Sequence, residues 1–162
     1  GERPRFKLLD GVALMICVVQ RVSSASVKIE KPAYTSTISE GLCVLLGIEE
    51  GDGEKQAAWM ARKLANLRIF HDEKSKMNRS VTDVEGEILL ISQFTLAGDC
   101  QAGNRPSFIS AAHPDVAEPL VDLVCTLLQH EHGISVSTGV FGAMMQLTIV
   151  NEGPVTLILQ RD

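Results

Sequence analysis

The chain has 162 residues, of which 45% are apolar, 22% charged and 4% aromatic, with 15 basic against 20 acidic side chains and a net charge of −5. This length suits one domain that buries roughly two-thirds of its unfolded surface, so no disulfide or metal staple is needed, and the composition excludes a disordered chain. The acidic balance excludes a surface that wraps long nucleic acid, which needs a basic surplus, so any contact with nucleic acid is local.

Residues 1–14 are read as an N-terminal extension, with Met15 as a natural start and 15–162 as the domain. The apolar run Gly11 to Val19 has no small-residue cleavage site after it, and it leads straight into a strand pattern rather than ending a secretory leader. Strands are expected over Leu14 to Val22 and Ser26 to Glu30. Two more are expected in the continuous apolar runs Leu42 to Ile48 and Gly86 to Leu96. Met145 to Val150 and Val155 to Gln160 alternate apolar and polar residues, as half-buried strands do, and Asn151-Glu152-Gly153-Pro154 between them has turn composition.

Two helices are expected. One starts near Asp52 as N-cap and carries Ala57, Met60, Ala61, Leu64 and Ala65 on one face. The other runs from about Asp115 to His132, with Val116, Leu120, Val124, Leu127 and Leu128 as its stripe, Pro119 in its first turns and Gly133 just past its end. Many strands with two helices imply an α+β single domain, mainly antiparallel and barrel-like, with both helices packed against the sheet.

The longest uncharged stretch, Gly133 to Asn151, is too polar and too glycine-broken to span a bilayer. Cys17, Cys43, Cys100 and Cys125 form no CxxC pair and are expected to be buried free thiols of a reducing, cytoplasmic setting. The triplet Asn78-Arg79-Ser80 matches a glycosylation sequon, which has no meaning there. His130 and His132 point to different faces of a helix end, and His71 and His113 are isolated loop residues, so no metal site is expected. No nucleophile elbow, P-loop or dinucleotide fingerprint is present, and no cofactor is implied.

Two places stand out. Ser92-Gln93-Phe94-Thr95 follows the apolar run Ile88 to Ile91, so a buried strand ends in hydroxyl, amide and aromatic groups. A strand that ends this way presents side chains and N–H groups to a cleft. Gly153-Pro154 sits where proline is tolerated at the first residue of a strand, and a Gly-Pro bond adopts the cis form at modest cost.

These segments together resemble the D-aminoacyl-tRNA deacylase (D-tyrosyl-tRNA deacylase) family. The resemblance runs almost end to end from Met15. It is carried by Val19-Gln20-Arg21-Val22, Asn66 to Phe70, Lys76-Met77-Asn78, Ser92 to Leu96, Arg105-Pro106-Ser107-Phe108, Thr138 to Ala143 and Asn151 to Thr156. It implies hydrolysis of the ester that joins a D-amino acid to the terminal adenosine of tRNA, and of glycine mischarged on alanine tRNA, by a homodimer with its active site at the interface. The partners implied are the aminoacyl-tRNA acceptor end and a second copy of the chain, with no membrane and no metal.

By the same resemblance Ser92, Gln93, Phe94 and Thr95 hold the ester, while Gly153 and Pro154 enter from the other subunit through a cis bond and exclude L-residues. Arg21 braces that loop, and Phe141, Met145 and Ala117 lie near the adenosine. A local basic rim would draw on Arg62, Lys63, Arg68, Lys74, Lys76, Arg79 and Arg105. Met144 stands where many relatives carry aspartate, and Ala102 where a basic residue is common. Two alternatives belong to the same fold: a deacylase with relaxed chirality, and a non-catalytic nucleic-acid-binding protein.

Overall fold

The computed structural model describes residues 15–162; the expected N-terminal extension lies outside them. In chain order the elements are β1 (Met15–Ile29), β2 (Tyr34–Ile38), β3 (Gly41–Gly47), α1 (Glu54–Asn66), β4 (Phe70–His71), β5 (Met77–Arg79), β6 (Glu87–Ser92), a 3-10 turn (Phe94–Ala97), α2 (Pro114–His130), β7 (Ser135–Thr138) and β8 (Gln146–Arg161). A six-stranded sheet runs β2-β1-β3-β6-β7, with β8 on the remaining edge of β1, and β4-β5 form a separate hairpin. The β1 pairings with β2, β3 and β8 are antiparallel, as is β4-β5, whereas β3-β6 and β6-β7 are parallel, so the pairing is mainly antiparallel, as expected, with a parallel part at one side. The fold is α+β, nearly closed like a barrel.

The continuous apolar runs of β3 and β6 have a direct cause: both faces of these strands are buried. On one face Leu42, Val44, Leu46, Ile88 and Leu90 join Met15, Cys17 and Val19 beneath α1 and α2. On the other face Cys43, Leu89 and Ile91 meet Val22, Ala25, Val27 and Ile29 of the far half of β1, and Ile38 of β2. The long β1-β8 ribbon therefore serves the helix-covered core at one end and closes over the back of the sheet at the other.

Helix α1 buries the five residues expected of it, Ala57, Met60, Ala61, Leu64 and Ala65. Its N-cap is Gly53 rather than Asp52, because the Asp52 carboxylate faces back and accepts from the Glu49 N–H at 2.8 Å. Helix α2 starts at Pro114 and buries Ala117, Leu120, Val121, Val124 and Leu128. Val116 of the expected stripe is 46% exposed, since Ala117 and Val121 occupy the face turned to the sheet. Gly133 follows the helix at a φ of +65°. Among the described residues no helix is long and apolar enough to cross a membrane.

Asp52 is buried, and burial pushes its carboxyl from 3.8 up to about 6 against the pull of the Glu49 and Met15 N–H groups. The folded state thus holds its proton to higher pH than the unfolded chain does. The corresponding stability is fully present below pH 3.8 and is lost as pH rises through about 6. Asp52→Asn keeps the acceptor and removes the titration. In urea denaturation its stability relative to wild type is expected to rise between pH 4 and pH 8 by up to about 3 kcal/mol. A difference that stays flat with pH would disprove this.

Candidate active site

Strand β6 leaves the core at Ser92. The Gln93 N–H donates to the Leu46 carbonyl at 2.8 Å, which keeps the chain against β3 for one residue more. It then coils into the 3-10 turn, whose first internal bond runs from the Leu96 N–H to the Gln93 carbonyl at 3.2 Å. The N–H groups of Phe94 and Thr95 precede that bond and have no acceptor within the turn. The Gln93 side-chain amide donates to Thr95 Oγ1, so the two polar side chains are held together. Phe94 meets Phe108 edge to face, with centroids 5.2 Å apart.

Phe108 reaches this place because the Asp99 and Ser107 backbones exchange two hydrogen bonds, of 2.7 and 2.9 Å, which close the loop between them. The next residues are fastened to the end of β3, where the Ala112 N–H donates to the Ile48 carbonyl at 3.0 Å and the Glu50 N–H to the Ser110 carbonyl at 2.9 Å.

These segments enclose a cavity of about 730 Å³, lined by Ser92 to Thr95, Phe108, residues 111–114, Ala117 of α2 and residues 141–145. Seven of the residues singled out from the sequence line it: Ser92, Gln93, Phe94, Thr95, Ala117, Phe141 and Met145. Met144, which is 91% exposed, and Phe108 stand at its rim. His113 also lines it, although the sequence suggested only an isolated loop histidine. The signal that finds it is His-Pro-Asp ahead of an amphipathic stripe, since His113 is the N-cap and its Nδ1 accepts from the Asp115 N–H at 3.1 Å.

Arg21 and Gly153 lie elsewhere, in a second and more polar cavity of about 760 Å³ that shares no lining residue with the first. Arg21 is buried on β1. Its Nη1 donates to the Ile69 carbonyl at 2.7 Å and its Nε to the Glu152 carbonyl at 3.2 Å. One guanidinium thereby ties the start of β4 to the Glu152-Gly153 backbone. The segment Asn151 to Pro154, of turn composition, does not reverse the chain. Both halves of β8 pair with the same strand, Thr156 opposite Gln20 and Asn151 opposite Val22, so four residues bulge out opposite Arg21 and the chain continues in its original direction. Asn151 pins the bulge: its Oδ1 accepts from the Val155 N–H at 3.3 Å and its Nδ2 donates to Thr156 Oγ1 at 3.0 Å. The Gly153-Pro154 bond is cis, and Gly153 has a φ of +123°.

The other chemistry-bearing residues stand apart. All four cysteines are free; Cys17 and Cys43 are buried, Cys125 partly so, and Cys100 is exposed, contrary to the expectation of four buried thiols. Burial pushes the Cys17 thiol up to about 12 and that of Cys43 to about 11, far from nucleophilic use. Among the described residues no cluster of three His, Cys, Asp or Glu is placed to hold a metal ion. Of the basic residues considered for a rim, Arg79 lines the second cavity and donates to the Asp83 carbonyl at 2.8 Å. Arg68 bonds Asn78, Lys63 lies over Trp59, and none lines the first cavity.

The chain is a small α+β domain with a largely apolar cavity at the end of a buried strand. Residues 18–160 match the family model described as D-Tyr-tRNA(Tyr) deacylase. A protein of Chlorobaculum parvum called D-aminoacyl-tRNA deacylase is 53% identical over 146 residues, covering 90% of this chain and 97% of its own. A solved structure named c-Myc DNA Unwinding Element Binding Protein is 41% identical and superposes with a TM-score of 0.84 over 91% of this chain and 99% of its own. A structure described as a probable eukaryotic D-amino acid tRNA deacylase, 16% identical with a TM-score of 0.79 over 91% of this chain and 100% of its own, shares the fold. The chain belongs to the D-Tyr-tRNA(Tyr) deacylase family, whose members are hydrolases acting on ester bonds.

Proposed function

We propose that this chain hydrolyses the ester between a D-amino acid and the 3′-terminal adenosine of tRNA, and that two copies build each active site. One observation carries the two-copy reading: Ser92 to Thr95 and the Gly153 bulge line cavities with no residue in common. A single cavity of one chain does not present both sets to one ester, whereas a second copy supplies the missing half.

In this reading the adenosine enters the cavity beside Ala117, Phe141 and Met145, and the ester carbonyl lies at the start of the 3-10 turn. The free N–H groups of Phe94 and Thr95 are donors for the oxyanion, and one such donor is typically worth about 2.7–4 kcal/mol. Thr95 is not the nucleophile. Its oxygen already accepts from Gln93, and among the described residues no activating base is bonded to it. A water oxygen bonds to the carbonyl carbon, assisted by the tRNA 2′-hydroxyl. The ester C–O bond breaks, the 3′-oxygen takes a proton, and a D-amino acid carboxylate and free tRNA leave with release of one proton.

The partner's bulge supplies backbone at the α-carbon, where an L side chain collides and a D side chain does not. Rejection by a rigid backbone gives chirality without reading side-chain identity. Glycine has no side chain to reject, so glycine on alanine tRNA is also a substrate. The acidic net charge is compatible with this role, because gripping an acceptor end needs few phosphate contacts.

The test is deacylation of D-tyrosyl-tRNA and L-tyrosyl-tRNA, with Gln93→Ala beside wild type. Loss of the D-ester alone is expected, with kcat about 100-fold lower in the variant, the scale seen when one positioned polar group of such a site is removed. Loss of both esters points to relaxed chirality. Loss of neither, in a folded dimer, overturns the proposal and favours a nucleic-acid-binding role, for which the name of the 41% identical structure is the supporting observation.

A further inference from the structure

Of the residues that line the ester cavity, His113 alone carries an ionisable side chain. It stands at the rim, with 71% of its side chain exposed. Its Nδ1 accepts from the Asp115 N–H at 3.1 Å, which places the proton of the neutral ring on Nε2. The Asp115 carboxylate lies 3.5 Å from Nδ1, on that same side of the ring. Nε2–H is therefore a directed donor with no partner among the described residues, on a rim whose other polar side chains are the Gln93-Thr95 pair and Ser92. An adenosine ester placed in this cavity puts its base against apolar walls, but its 5′-phosphate costs too much to bury and stays at the rim.

We propose that His113 is a substrate-positioning residue whose Nε2–H binds the phosphodiester 5′ to the terminal adenosine. This rests on the proposed function. The imidazole holds the acceptor end in register by its backbone, which every tRNA shares, and so adds affinity without selecting among tRNAs.

The test uses D-alanyl esters of adenosine with and without a 5′-phosphate, on wild type and His113→Ser. Serine is itself a good N-cap, so the variant keeps helix α2 while losing the donor that reaches the rim. The expected result is a KM about fivefold lower for the phosphorylated ester in wild type, equal KM values for the two esters in His113→Ser, and kcat unchanged throughout, an effect of the size of one hydrogen bond. A second variant, His113→Gln, restores a side-chain N–H donor and recovers part of the preference. If wild type cleaves both esters and His113→Ser retains the full phosphate preference, the proposal is overturned. If wild type cleaves neither ester nor D-tyrosyl-tRNA, the failure lies with the proposed function instead.

Discussion

Gly153→Ala is expected to lower kcat/KM for D-aminoacyl-tRNA by about 100-fold, the cost of displacing a positioning element by an ångström, while the circular dichroism spectrum stays native. At Gly153 a φ of +123° lies where L side chains rarely go. An added Cβ would also stand 2.9 Å from Arg21 Nη2, 3.0 Å from Val155 Cγ2 and 3.2 Å from the Val155 nitrogen. The Arg21 guanidinium is held by the Ile69 and Glu152 carbonyls, so the bulge rather than Arg21 must shift. The displaced segment is the one proposed to face the α-carbon of the substrate. Rate measurement on D- and L-tyrosyl-tRNA decides the matter. Full D-activity in the variant would remove the bulge from the mechanism, and a gain of L-activity would show that the wall had moved without losing the site.

The second large effect belongs to Arg21. Arg21→Met is expected to cost about 2–4 kcal/mol of stability, because removing one partner of a buried hydrogen bond leaves the other unsatisfied at about 1–3 kcal/mol each. The carbonyls affected are those of Ile69 and Glu152. The same variant frees the bulge, so activity should fall beyond what the loss of folded protein explains. Arg21→Lys separates the two roles. A single ammonium cannot span two carbonyls as the planar guanidinium does. Lysine should therefore recover part of the stability, read from the urea midpoint, and little of the activity. Arg21→Met with wild-type stability would show that neither bond matters.

Much of the local structure was legible in the residues. The α1 face needed only the spacing of Ala57, Met60, Ala61, Leu64 and Ala65, since a helix repeats every 3.6 residues whatever it packs on. The run Ile88 to Ile91 announced a strand buried on both faces, and its abrupt polar end announced the cleft. The α2 stripe was legible at Leu120, Val124 and Leu128, which are buried as expected, but not at its first position. Val116 and Ala117 are both apolar, and only the position of the sheet decides which of them turns inward. Asp52 looked like an N-cap because cap residues share side-chain chemistry with loop residues that bind their own backbone.

By itself the sequence determined where the main apolar faces lie, the two helices and the strands β1, β3, β6 and β8, because these follow from interactions between near neighbours along the chain; the short or polar strands β2, β4, β5 and β7 carry no such pattern and were not legible. It also carried the residues by which the family is known. Only the tertiary structure decided that Asn151 to Pro154 bulges instead of turning back, since that depends on both halves of β8 pairing with one strand more than 120 residues away. Only the tertiary structure gathered Ser92 to Thr95, His113, Ala117 and Phe141 around one cavity while assigning Arg21 and Gly153 to another. Period and composition specify which face of each segment is apolar. Which faces meet is settled by packing and pairing across the whole chain, and no local window contains that information.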